Sequence, residues 1–108
     1  MKMTCGEWRK PQPCMKFVHT GTSIEQMKHV SQEGCESWEA LAVLIEAQAF
    51  GGEVERQAKR HLAEELTDII TSATTMMEML GYDVYAREAM QEYVNEKNFK
   101  RGYLEERA

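Results

Sequence analysis

Phe50-Gly51-Gly52-Glu53 separates two long stretches of helical pattern. Paired glycines end a helix readily, because they reach left-handed backbone conformations at no steric cost. Upstream, Ile24, Met27, Val30, Trp38, Leu41 and Ile45 recur at helical spacing. Ser23-Ile24-Glu25-Gln26 opens that stretch with the pattern of a capping box, in which two side chains satisfy the first free N–H groups. Downstream, Leu62, Leu66, Ile69, Ala73, Met77 and Leu80 carry the same period to Gly81, which is well placed just past a helix end. This second helix is expected to exceed about 25 residues. Asp83 offers an N-cap for a third, with Val84, Tyr85, Ala89, Met90, Tyr93 and Val94 as its apolar positions and Gly102 near its close. No stretch alternates as a strand does. The expected fold is all-α, an antiparallel bundle of long helices, with Trp38 in the core and Met76, Met77 and Met79 as adaptable filler.

A chain of 108 residues makes one domain, small enough that oligomerisation would help bury its apolar surface. Residues 1–22 read as an irregular arm, since Pro11 and Pro13 exclude a continuous helix. Trp8 and Phe17 suggest that the arm docks, and a packed extension is favoured over a lid or base-stacking segment. Residues 23–108 form the helical domain. No apolar run approaches the roughly 18 to 20 residues of a membrane span, and no apolar signal core follows Lys2. A cytoplasmic protein without a membrane partner is expected. Cys5, Cys14 and Cys35 lack the short spacing of zinc or redox sites, so reduced thiols are expected rather than a zinc site built from Cys5, Cys14 and His19.

Charge is uneven along the chain. Residues 1–22 hold four basic groups against one acidic, net +3, and residues 23–108 hold nine against seventeen, net −8. An acidic body repels nucleic-acid phosphates, which disfavours a nucleic-acid polymer as partner. Small phosphates carried with a metal ion remain compatible with it.

Two carboxylate pairs stand out, Glu33 with Glu36 and Glu65 with Asp68. Residues three apart share a helix face, so each pair projects together from its helix. Four such side chains from two facing helices suit a hard cation that prefers oxygen ligands and keeps part of its water shell. No basic residue follows any of the four at three or four positions, so repulsion within each pair goes uncompensated unless a cation intervenes. The apolar stripe argues the other way. On a helical wheel Glu33 and Glu36 lie well off the stripe, as residues of a solvated acidic face would.

Gln32-Glu33-x-x-Glu36, then 28 intervening residues, then Glu65-x-x-Asp68 resembles the E-E-x-x-E … E-x-x-D signature of the MazG-like all-α nucleoside triphosphate pyrophosphohydrolases. Lys97-Asn98-Phe99-Lys100-Arg101-Gly102-Tyr103 is similar to the K-N-x-x-R-G segment of many members. The resemblance spans residues 23–104. Gln32 departs from it where a first Glu is usual, and Cys35 where Gly is common. The resemblance implies Mg²⁺-dependent cleavage of a (d)NTP to the (d)NMP and pyrophosphate, a housekeeping of nucleotide pools, with Mn²⁺ as a substitute ion. It implies that Glu33, Glu36, Glu65 and Asp68 hold the metal. One of these, or Glu64 or Glu39, takes a proton from the attacking water. Lys97, Asn98 and Arg101 would contact phosphate. Gln32, His29 and His61 would support the ligands.

Three further readings compete. A phosphoribosyl-ATP pyrophosphohydrolase-like enzyme fits the basic arm and the C-terminal segment less well. A catalytically silent helical interaction module would use the acidic face for a partner. A di-iron bundle would need Glu-x-x-His, and Gln26 and Ala58 stand three before His29 and His61. Three helices cannot close both faces of a metal-bearing pair, so a homodimer or homotetramer is expected.

Overall fold

The computed structural model describes residues 8–105. Its helices are α1 (Met15–Thr20), α2 (Ser23–Ala47), α3 (Gly52–Met79) and α4 (Val84–Lys100). Among the described residues there is no strand, and no helix is long and apolar enough to cross a membrane. Cys5 and the first seven residues of the arm lie outside the described residues.

The glycine break behaves as expected. Gly51 and Gly52 both take positive φ, 65° and 55°, and α2 and α3 fold back on one another as a hairpin. The cap of α2 lies one residue earlier than the Ser23 box: Thr22 Oγ1 accepts from the Glu25 N–H and Glu25 Oε1 accepts from the Thr22 N–H, both at 3.2 Å. Thr22-x-x-Glu25 displaces Ser23-x-x-Gln26 because a carboxylate is the stronger acceptor. Gln26 is thereby released to point inward, where its Nε2 donates to Ser72 O at 3.0 Å. Asp83 caps α4 as expected, accepting from the Ala86 N–H at 2.9 Å.

The face that α2 buries differs from its apolar stripe. Gln26, Val30, Glu33, Ser37, Ala40, Leu44 and Ala47, spaced alternately four and three apart as in a coiled-coil seam, are covered, and Gly34 and Leu41 beside them are partly covered. On α3 the matching positions include Ala58, Leu62, Glu65, Ile69, Ser72 and Thr75. Trp38, expected in the core, is 73% exposed, and Ile24, Met27 and Ile45 are also exposed. Small residues win the seam because they let two long backbones approach. Leu44, Ala47 and Ala58, with Leu62 against them, close its loop end.

The arm is partly helical. The Cys14 N–H donates to Thr75 Oγ1 at 2.9 Å, and Thr75 is 1% exposed, so α1 is tied to α3. The described part of the arm, expected to be irregular, thus carries a short helix docked on α3 that buries none of its own residues. Helix α4 buries no residue and is held mainly at its start, where Arg87 pairs with Glu78 and donates to Tyr82 O at 2.8 Å. The radius of gyration is 16.9 Å, against about 13 Å for a compact chain of this length.

Gly51, at φ 65° and ψ −162°, occupies a region open almost only to glycine. Gly51→Ala is expected to cost about 1–3 kcal/mol of unfolding free energy, measured by urea denaturation.

Candidate metal centre

Because the seam repeats every seven residues, the contact that joins Gln26 to Ser72 returns one heptad along as Glu33 beside Glu65. Carboxylate oxygens of Glu33, Glu36 and Glu65 lie within 4.8 Å of one another. The Glu33 and Glu65 side chains are 12% and 16% exposed. Oε2 of each is shut away from solvent with no hydrogen-bond partner. Oε1 of each faces a histidine one turn back, His29 Nε2 at 3.1 Å and His61 Nε2 at 3.7 Å.

Asp68 sits at the edge of this group and is felt by Glu33. Burial, reinforced by the charges of Glu36 and Asp68, pushes the Glu33 carboxyl above the usual carboxylate range, and His29 opposes the rise. Two largely covered glutamates side by side, each with a buried unpaired oxygen, are costly unless something positive joins them. The donors are hard oxygens with an exposed carboxylate at the rim, which fits Mg²⁺ or a similar ion that retains water. The imidazoles lie outside the oxygen triad and orient the glutamates instead, as supporting groups do around metal ligands.

The two halves of the site are related by an internal repeat. Lys28-His29-Val30-Ser31-Gln32-Glu33-Gly34-Cys35-Glu36 matches Arg60-His61-Leu62-Ala63-Glu64-Glu65-Leu66-Thr67-Asp68 in residue character at Lys28/Arg60, His29/His61, Val30/Leu62, Glu33/Glu65 and Glu36/Asp68. Antiparallel packing of the two copies turns the repeat into a local two-fold arrangement. The acids Glu36 and Asp68 then flank one side of the seam, and Gly34, Trp38, Leu41, Leu62, Leu66 and Ile69 line a recess on the apolar flank.

The other sequence candidates are placed as follows. Gln32, Glu39 and Glu64 are exposed and outside the triad, and Glu64 accepts from Arg60 Nε at 3.3 Å. Lys97, Asn98 and Arg101 lie at the far end of α4, where Lys97 stands over the Tyr93 ring at 5.9 Å. The hairpin itself does not gather them with the carboxylates. Phe17 was legible only as an aromatic in the arm. Its ring centroid lies 6.3 Å from that of His29, and the two share a small recess with Thr22 and Glu25 next to the carboxylates. No protein-family model, curated protein or solved structure matches the chain.

A raised Glu33 pKa means that the folded chain holds a proton that the unfolded chain has released. Stability is therefore present in full below the ordinary glutamate pKa and is lost as pH rises through the raised value. In chelator, Glu33→Gln is expected to melt higher than the parent at neutral pH and to lose that advantage near pH 4, read by thermal scans across pH. Adding Mg²⁺ should stabilise the parent, by about 2.7 kcal/mol at one hundred times Kd, and the variant much less.

Proposed function

We propose that the chain is a Mg²⁺-dependent nucleoside triphosphate pyrophosphohydrolase of the MazG-like kind, cleaving (d)NTP to (d)NMP and pyrophosphate. The observation that carries this is the gathering of carboxylate oxygens of Glu33, Glu36 and Glu65 within 4.8 Å in the hairpin seam, where Oε2 of Glu33 and Oε2 of Glu65 are each shut away from solvent without a partner. The ordered carboxylate pairs and the Lys97–Gly102 segment supply the reaction type by resemblance.

Glu33 and Glu65 bind the ion from inside the seam, held in orientation by His29 and His61. Glu36 and Asp68 complete the ligand set from the open side. Once bound, Mg²⁺ neutralises phosphate oxygens and makes water more acidic. Glu36 is the exposed member of the triad and accepts the proton of the attacking water. Phe17, half exposed beside His29, offers an aromatic surface for the base.

The proposal includes a second copy of the chain. The apolar flank carries Trp38, Leu66, Met27 and Ile45 in the open, more than a lone chain keeps. Gly34 lies in that flank, mid-helix, with nothing within 4 Å of where a Cβ would sit. A helix-interior glycine costs roughly 0.5–1 kcal/mol, so close approach of another subunit gives it a use. A flank with internal two-fold character suits isologous pairing, in which both copies use one surface. In the assembly Lys97, Asn98 and Arg101 contact the phosphates.

Purified chain with Mg²⁺ is expected to release pyrophosphate from at least one member of a panel of normal and modified nucleotides. Glu36→Gln and Asp68→Asn should lower kcat by about 100-fold or more with the circular dichroism unchanged. Full activity in both variants would instead favour a catalytically silent binding module. For the assembly, sedimentation should show a dimer or tetramer, and Trp38→Glu should shift it to monomer.

A further inference from the structure

Repeat position one is basic in both halves of the hairpin, Lys28 on α2 and Arg60 on α3, yet the two are set differently. Lys28 lines a mostly apolar recess with Ile24, Met27, Ser31 and Met76. Arg60 lines an open recess of about 490 Å³ with Ala63, Glu64, Thr67 and Asp68. It therefore shares its recess with Asp68, which lies outside the Glu33–Glu36–Glu65 triad and which the proposed function adds to the ligand set. Arg60, Glu64 and Asp68 stand four apart and form one row along α3.

We propose that Arg60 is the contact from within the hairpin for the terminal phosphates of the triphosphate, set in position by Glu64. The inference rests on the pyrophosphohydrolase reading and adds to it a specificity residue outside the C-terminal basic segment. Glu64 Oε1 takes the Nε hydrogen at 3.3 Å, which leaves the terminal nitrogens of the guanidinium for a ligand. That planar edge matches two oxygens of one phosphate, a contact that the Lys28 ammonium would make only as a point charge. The Arg60 side chain is 83% exposed, and an exposed ion pair is weak, so Glu64 orients the guanidinium without using up its charge. The substrate brings several negative charges to a face already rich in carboxylates. A cation beside Asp68 offsets repulsion that an ion in the seam alone leaves at the far end of the chain of phosphates.

The test uses full-length protein with Mg²⁺ and inorganic tripolyphosphate in calorimetry, together with steady-state turnover of the best nucleotide. Arg60→Gln is expected to weaken tripolyphosphate binding about tenfold or more and to raise KM with a smaller change in kcat. Arg60→Lys should recover part of the loss. Binding of the monophosphate product and the rise in melting temperature on adding Mg²⁺ should match the unaltered chain. Unchanged tripolyphosphate binding in Arg60→Gln, alongside normal turnover by the unaltered chain, overturns the role of Arg60 and leaves the activity standing. Equal loss of tripolyphosphate and of Mg²⁺ stabilisation overturns it also, since Arg60 would then act on the metal group. If the unaltered chain neither binds tripolyphosphate nor releases pyrophosphate, the enzymatic reading fails and takes this inference with it.

Discussion

Glu33 and Glu65 meet within a helix seam, where like charges repel and water reaches only one side. Every other feature of the hairpin is arranged so that this contact survives. At the loop end Leu44, Ala47 and Ala58 pack with Leu62, and at the open end Gln26 reaches Ser72 while Cys14 ties the arm to Thr75. The seam is thus held at both ends, with its unpaired carboxylate oxygens in the middle. His29 and His61 each lie near one oxygen of a glutamate, at 3.1 Å and 3.7 Å, and the other oxygen of each glutamate is buried without a partner. A site of this kind stores the cost of its charges in the metal-free state and gains most from an ion that removes it.

The same arrangement explains why so little of the apolar sequence is buried. A seam built of Ala, Ser, Thr and Glu gives close approach and ligands, but a weak hydrophobic return. The large side chains stand beside the seam, on the flank opposite Glu36 and Asp68. A second copy on that flank would bury them without touching the carboxylates, so the proposed pairing and the proposed metal binding would use different sides of one hairpin.

The three long helices, the Gly51-Gly52 break and Asp83 as cap were legible in the residues, and so were Glu33, Glu36 and Glu65 as neighbours, though the fourth carboxylate expected with them, Asp68, lies outside the triad and helix α1 was read as part of an irregular arm. The role of the apolar stripe was not. Periodicity finds the face that is apolar, and it assigns that face to the core of the same chain. Here the stripe of Trp38, Leu41 and Ile45 flanks the seam, so the wheel that placed Glu33 on a solvated side misread a position that is nearly covered. The cap moved for a local reason, the stronger carboxylate acceptor at Glu25. Phe17 beside His29 depends on how the arm folds back, which no spacing records.

The internal repeat also changes the weight of Gln32, the departure that set the metal site most in question. Gln32 corresponds to Glu64 in the second half, and both are exposed and outside the oxygen triad. The ligand positions of the repeat, its sixth and ninth, keep their acids in both halves: Glu33 and Glu36, Glu65 and Asp68. The difference between Gln32 and Glu64 therefore falls on the rim, where it decides which basic residue is held. Glu64 holds Arg60 beside Asp68, and neutral Gln32 gives Lys28 no charged partner to match. The hairpin is nearly symmetric in its seam carboxylates and asymmetric in its rim cations, and the elongated substrate proposed above, with a nucleoside at one end and phosphates at the other, would call for that combination.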